Sequence, residues 1–249
     1  MATMTDIRIN IASKFYPAVG RAGQHLAISN LNLTLKVNEF VCLLGPSGCG
    51  KTTLLNIIAG LDNDFKGDIF SGQRHSVPKI GYIFQNPRLL PWRTVRENID
   101  LVLGDRHSPA VVDALLEVMQ LTQFQHVYPE RLSLGMSRRV AIIRAFAVDP
   151  DILLMDEPFV SLDAPTARQV RELLLALWSE RPHTVLFVTH DLREAIALAD
   201  RLVFLSAAPM SFISEVKVPI ARADRHNEGV REEFRRQLLN DYPLIKTLL

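Results

Sequence analysis

The sequence predicts an α/β fold with a mainly parallel sheet, on three observations. Gly45-Pro46-Ser47-Gly48-Cys49-Gly50-Lys51-Thr52-Thr53 is a complete G-x-x-x-x-G-K-[ST] loop set between an apolar strand and a helix. Ile152–Met155, Thr184–Thr189 and Leu202–Leu205 are short aliphatic and β-branched runs of the kind that bury both faces in a parallel sheet. Helical segments separate these runs, giving the strand–helix alternation of α/β proteins.

Each element follows from local pattern. Ile7–Ser13 and Ile28–Val37 alternate apolar and polar residues and read as half-buried strands. Asn38-Glu39 turns into Phe40–Leu44, the strand before the glycine-rich loop. Leu54–Ala59 reads as the helix after it, stopped at Gly60. Gly67–Phe70 and Ile80–Phe84 read as short strands around a polar turn at Gly72–Ser76. From Thr94 to Gly104, and on through Val111–Leu121 and Ser133–Ala147, the chain reads as helical, which predicts a separate helical lobe. Pro165–Ser179 and Leu192–Ala199 are helices between the last strands. Val230–Leu239 is a charged helix in a tail that reads as a solvated face.

The bulk properties narrow the classes. The chain has 249 residues, 48% hydrophobic and 22% charged, with a net charge of +1. That is ordinary globular composition, and nothing in the overall charge draws it to nucleic acid. Its two cysteines, Cys42 and Cys49, fall in a strand and a loop with different surroundings, so no disulfide is expected and a reducing compartment fits. Met1–Ile11 carries Asp6 and Arg8 and lacks the apolar core of a secretion signal. No apolar run approaches the roughly 20 residues needed to span a bilayer.

The chemistry begins at the loop. Its glycines let the backbone turn tightly and aim N–H groups at phosphate oxygens, the following helix adds a partial positive charge, and Lys51 adds a full one. Thr52 is placed to bind Mg²⁺. The apolar strand Ile152–Met155 ends in Asp156 and Glu157. Asp156 suits Mg²⁺ at the carboxyl end of a strand, and Glu157 suits orienting or deprotonating an attacking water. His190 ends another strand, where ligands gather in such sheets, and is a candidate for the γ-phosphate. Gln85 ends a third, with an amide suited to Mg²⁺ or water. Ser133 is a good N-cap for a helix rich in arginine (Arg138, Arg139, Arg144), which makes a second anion-binding helix start or simply a capped helix. Cys49 sits at a helix N-terminus beside Lys51, a setting that activates thiols; ordinary loop packing is the alternative.

These motifs, in this order and with Ser161-Leu162-Asp163, resemble the ATP-binding cassette (ABC) family, the nucleotide-binding subunits of ABC transporters. The likeness runs from about Ile7 to Ser206. It implies a P-loop NTPase-type core, an N-terminal antiparallel β portion and an inserted α-helical lobe at about 87–147, within one domain spanning 1–249 and a tail at about 206–249. It implies ATP and Mg²⁺ as ligands: Gly45 to Thr53, Tyr16 (stacked on adenine, with Phe15 its neighbour), Gln85, Ser133, Gly135 and Asp163 for the nucleotide; Thr52, Gln85 and Asp156 for the metal; Glu157, His190 and Lys51 for catalysis. It implies a homodimer, in which Ser133 and Gly135 approach the partner's ATP. The family's Leu-Ser-Gly-Gly-Gln here reads Leu132-Ser133-Leu134-Gly135-Met136. If Leu134 is helical it costs little. If the loop must approach phosphate closely, Leu134 weakens the closed state; the signature then works with altered affinity or rate, and Leu134→Gly changes turnover at least several-fold.

Asn86-Pro87-Arg88-Leu89-Leu90-Pro91-Trp92 is an apolar, proline-stiffened stretch. In the family this region receives an integral membrane permease; packing of the helical lobe is the alternative. That run and Leu205–Pro209 with Glu215–Val218 look like the nitrate/sulfonate/taurine importers. The resemblance therefore implies an importer ATPase on the cytoplasmic face of the inner membrane, served by a solute-binding protein. An ABC-type ATPase without a transport role, or a weakly hydrolysing regulator, stands as the alternative.

Overall fold

Four short apolar runs become strands without an exposed residue: β3 (Phe40–Leu44), β6 (Ile152–Asp156), β7 (Thr184–Val188) and β8 (Arg201–Leu205). The computed structural model describes residues 6–17, 23–71, 78–103 and 109–248. The polar turn expected at Gly72–Ser76 lies outside them. The chain divides into two compact units, Met1–Val77 with Thr184–Leu249, and Pro78–His183.

The first unit carries two sheets. β1 (Ile7–Tyr16), β2 (His25–Leu35) and β4 (Lys66–Ser71) form an antiparallel sheet in the order β2-β1-β4. Ile7, Ile9 and Ile11 point inward between exposed neighbours, the period-2 pattern of a half-covered sheet. Gly67 has φ 140°, and a Cβ there would lie 2.1 Å from the Asn10 carbonyl oxygen, so only glycine permits that pairing. In the other sheet β3 lies between β7 and β8, parallel to both. Phe40 and Phe187 meet edge to face in its core, centroids 6.3 Å apart.

A further strand, β9 (Phe212–Lys217), pairs antiparallel with β8. It closes over Arg201, which donates to both Glu39 oxygens at 2.8 Å and to Glu215 at 2.5 Å. The helices here are α1 (Lys51–Ile58), α6 (Leu192–Leu198) and α7 (Glu228–Asp241). The tail is not simply a solvated face. Arg225 is buried and donates to Leu198 O at 3.1 Å and Ile220 O at 3.0 Å, and Glu232 of α7 pairs with Arg193 of α6 at 3.3 Å.

The second unit pairs β5 (Ile80–Ile83) with β6 in parallel and adds α2 (Val95–Leu103), α3 (Pro109–Val118), α4 (Leu134–Ala147) and α5 (Ala164–Glu180). It thus holds the helical stretch at 87–147 together with two strands and α5. Thr94 and Glu97 open α2 with a reciprocal capping box: Thr94 N donates to Glu97 Oε2 at 2.7 Å and Glu97 N to Thr94 Oγ1 at 3.3 Å. α4 lies tight on β5, where a Cβ on Gly81 would come within 2.5 Å of the Ala145 carbonyl oxygen.

Candidate functional site

In the first unit the glycine-rich loop leaves the carboxyl end of β3 and enters α1. Gly48 (φ 76°) and Gly50 (φ 115°) take left-handed conformations, which glycine reaches without steric cost. Lys51 is 6% exposed, and its Nζ donates to Gly45 O at 2.7 Å and Pro46 O at 2.8 Å. The ammonium therefore spans the base of the loop. The N-cap of α1 is Gly50, with no side-chain cap, so the first-turn amides are left for an anion. A buried cation under uncapped helix amides is the donor set that a phosphate chain requires.

The loop is seated from the side by the 205–210 segment: a Cβ on Gly45 would lie 3.1 Å from Leu205 O, and one on Gly50 would lie 3.8 Å from Met210 Cβ. Tyr16, at the end of β1, shares a 2.9 Å hydrogen bond between its hydroxyl and Thr53 Oγ1, which fixes its half-exposed ring beside the start of α1. Lys14 Nζ stands 4.9 Å from that ring's centroid. Burial alone would lower the Lys14 pKa, but the Asp62 carboxylate at 2.8 Å outweighs it and leaves it raised.

His190 follows β7, the parallel neighbour of β3, so it leaves the same sheet edge as the loop. Asp191 caps α6 by accepting from Arg193 N at 2.7 Å, and Thr189 Oγ1 donates to Glu194 at 2.9 Å, so His190 is held between a strand end and a fixed helix start. Cys49 is 2% exposed and Cys42 fully buried, and both thiols are free. Burial pushes Cys42 well above the ordinary thiol range. The Cys49 thiol packs into the loop, which favours the packing role over an accessible nucleophile.

In the second unit Asp156, 5% exposed, ends β6, and Glu157 follows in a left-handed conformation, φ 44°. A non-glycine residue there carries strain of about 1–3 kcal/mol, which the surroundings must hold. Gln85 Nε2 approaches Glu157 Oε2 at 3.5 Å, so the two sequence candidates converge. Tyr82 is pushed above its ordinary pKa, first by burial and then by the Asp156 charge.

Ser133 caps α4, its Oγ accepting from Met136 N at 3.2 Å. Leu134 is the first residue of α4 and is not among the positive-φ residues, so the left-handed penalty does not arise. Leu134→Gly is therefore expected to change ATP turnover less than about twofold, with a stability loss of at most about 1 kcal/mol; comparing turnover and melting temperature of the two proteins checks this. Gly135 is constrained instead: a Cβ there would fall 2.5 Å from Thr166 Cγ2. Asp163 caps α5, accepting from Thr166 N at 3.0 Å, and that bond holds its carboxyl below the ordinary range.

α4 carries three arginines, Arg138, Arg139 and Arg144. Their guanidinium groups turn inward onto backbone carbonyls: Arg138 to Phe84 and Val160, Arg139 to Met119, Arg144 to Pro87 and Arg88. Asn98, fully buried in α2, accepts from Leu90 N at 2.8 Å and reaches the carbonyls of Leu90, Arg93 and Thr94 at 2.9–3.2 Å. These staples hold the 87–94 loop in a shape that leaves Trp92 70% exposed. Sequence reasoning missed Asn98, since a lone Asn in a helix gives no signal of its acceptors.

Among the described residues no three His, Cys, Asp or Glu side chains gather as a metal cage. Thr52 in the first unit, and Gln85 and Asp156 in the second, each carry the hard oxygen donors that Mg²⁺ prefers.

Residues 28–160 match the family model described as ABC transporter. The chain is 44% identical to the "Aliphatic sulfonates import ATP-binding protein SsuB" of Bacillus cereus (strain ZK / E33L), covering 98% of this chain and 99% of that protein. It is 40% identical to the "Nitrate import ATP-binding protein NrtD" of Synechococcus elongatus, covering 93% and 90%. Among solved structures it is similar to the dimeric post-hydrolysis state of the ATP-binding cassette MJ0796 bound to ADP and Pi, with a TM-score of 0.74, 31% identity and coverage of 86% of this chain and all of that one.

Proposed function

The chain belongs to the ABC transporter family, and from that premise we propose that it is the ATP-hydrolysing subunit of an importer for aliphatic sulfonates, nitrate or a related small oxyanion. The observation that carries this reading is the 44% identity to the sulfonate-import relative over nearly the whole of both chains, together with a phosphate loop whose buried Lys51 and uncapped α1 amides suit a nucleoside triphosphate. Among the described residues no helix is long and apolar enough to cross a membrane. In this reading the membrane is crossed by separate permease subunits, the chain is peripheral on their cytoplasmic side, and a solute-binding protein delivers the solute.

The residues then take the following roles. Gly45 to Thr53 hold the phosphates through backbone N–H groups and the Lys51 ammonium, and Tyr16 stacks on the adenine. Thr52, Asp156 and Gln85 hold Mg²⁺, which supplies charge neutralisation at the phosphates. Glu157 takes a proton from, or orients, the attacking water. His190 donates to the γ-phosphate as charge builds there. In a homodimer Ser133 and Gly135 of one copy complete the site of the other, and Asp163 lies in the segment that meets the partner. ATP thereby favours closure and hydrolysis releases it. Trp92 and its neighbours offer the apolar surface on which the permease rests. Leu134 and Met136 are the departures that favour a weakly hydrolysing regulator; against it, Glu157 and His190 are both present.

Co-expression of the tagged chain with a permease encoded beside it tests the assignment. The two are expected to purify as a complex whose ATPase rises on adding the sulfonate-loaded binding protein. A chain that hydrolyses ATP but neither binds the permease nor responds to the loaded binding protein contradicts the transport role.

A further inference from the structure

Arg138 is the most enclosed of the α4 arginines. It is 2% exposed, and its Nε has no hydrogen-bond partner. A buried guanidinium with an unsatisfied N–H is costly, and an apolar side chain of similar volume fills such a space at less cost. Its other nitrogens define what it does. Nη1 donates to Phe84 O at 3.2 Å and Nη2 to Val160 O at 3.3 Å. Phe84 immediately precedes Gln85, and Val160 immediately precedes Ser161. The segment between Glu157 (φ 44°) and Ser161 (φ 64°) is bounded by two strained residues, which have to be held in place.

We propose that Arg138 is a positioning residue for ATP hydrolysis. It fastens the helix opened by Ser133 to both the Gln85 loop and the Glu157–Ser161 segment, and so sets the approach of Gln85 to Glu157. The inference rests on the ATPase reading above. Arg144 extends the fastening, donating to Arg88 O at 2.9 Å and Pro87 O at 2.8 Å. Arg139 supplies an internal contrast. It is next in the same helix and also bonds a carbonyl, but that carbonyl is Met119 O at 2.9 Å, which belongs to neither loop. Both arginines lose some basicity to burial.

The test compares Arg138→Gln, Arg138→Lys and Arg139→Gln in the full chain assembled with its permease. Arg138→Gln is expected to lower kcat about 10- to 100-fold, the scale of a misplaced catalytic group. The KM for ATP should stay within about threefold, because the phosphate loop is untouched. Arg138→Lys, whose single ammonium reaches one carbonyl, should recover part of the loss. Arg139→Gln should keep kcat within about twofold at whatever cost in melting temperature. Equal kcat in Arg138→Gln and Arg139→Gln overturns the proposal, as does a loss confined to KM. If Arg138→Gln does not fold, Arg138→Lys decides: reduced kcat supports the proposal and wild-type kcat overturns it. A wild-type complex with no ATPase activity rejects the function itself, an outcome distinct from the others.

Discussion

Glu157→Gln is expected to lower ATP turnover by about 100-fold or more while ATP still binds. The substitution keeps the shape of the side chain and removes the carboxylate, and loss of a positioned base costs about 10²- to 10⁴-fold. Binding should survive because the phosphate-holding groups, Lys51 and the amides of the loop, are unaltered. The variant should therefore accumulate as an ATP-bound dimer, visible as a doubled mass in light scattering with ATP and Mg²⁺ and absent without them. Turnover equal to wild type removes Glu157 from the catalytic role. The left-handed backbone at Glu157 adds a second expectation: the variant's fold should be unchanged, since Gln tolerates that conformation as well as Glu does.

Lys51→Met should weaken ATP binding about 10- to 100-fold. A hydrogen bond to a charged group contributes about 1.5–3 kcal/mol, and the ammonium is the one full positive charge in the loop. Methionine preserves the length and burial of the side chain, so lost affinity reports the charge and not a cavity. The ammonium also ties together Gly45 O and Pro46 O, so the loop itself should loosen, read as faster amide exchange at residues 45–50. ATP affinity unchanged in a fluorescent-nucleotide titration contradicts the placement of the phosphates. Together the two variants separate binding from chemistry.

Much of this was legible because the signals are local. Phe40–Leu44 and Ile152–Met155 lie in strands buried throughout, and an uninterrupted apolar run between turn residues is how such strands announce themselves. The glycine-rich loop states its own geometry, since left-handed positions at Gly48 and Gly50 suit no other residue as well. Other features were hidden for physical reasons. The sequence was read for the likeness of Glu215–Val218 but not for a strand: β9 is an edge strand with alternating partial exposure and no continuous apolar run.

The bonds of the α4 arginines were hidden because their partners are carbonyls 20 to 57 residues away, and no pattern in a helix foretells them. The condition attached to Leu134 needed a backbone angle, which composition does not carry. The hydrogen bond between Tyr16 and Thr53 joins two sequence candidates across 37 residues, and only the return of β1 past the start of α1 brings it about.

The most direct measurement of the central claim is solute uptake by vesicles holding the permease with this chain attached and ATP on the chain's side. If the chain powers import, uptake of an aliphatic sulfonate or nitrate requires ATP, requires the binding protein outside, and disappears with Glu157→Gln. Uptake that persists without ATP, or with Glu157→Gln in place of the wild-type chain, would contradict it.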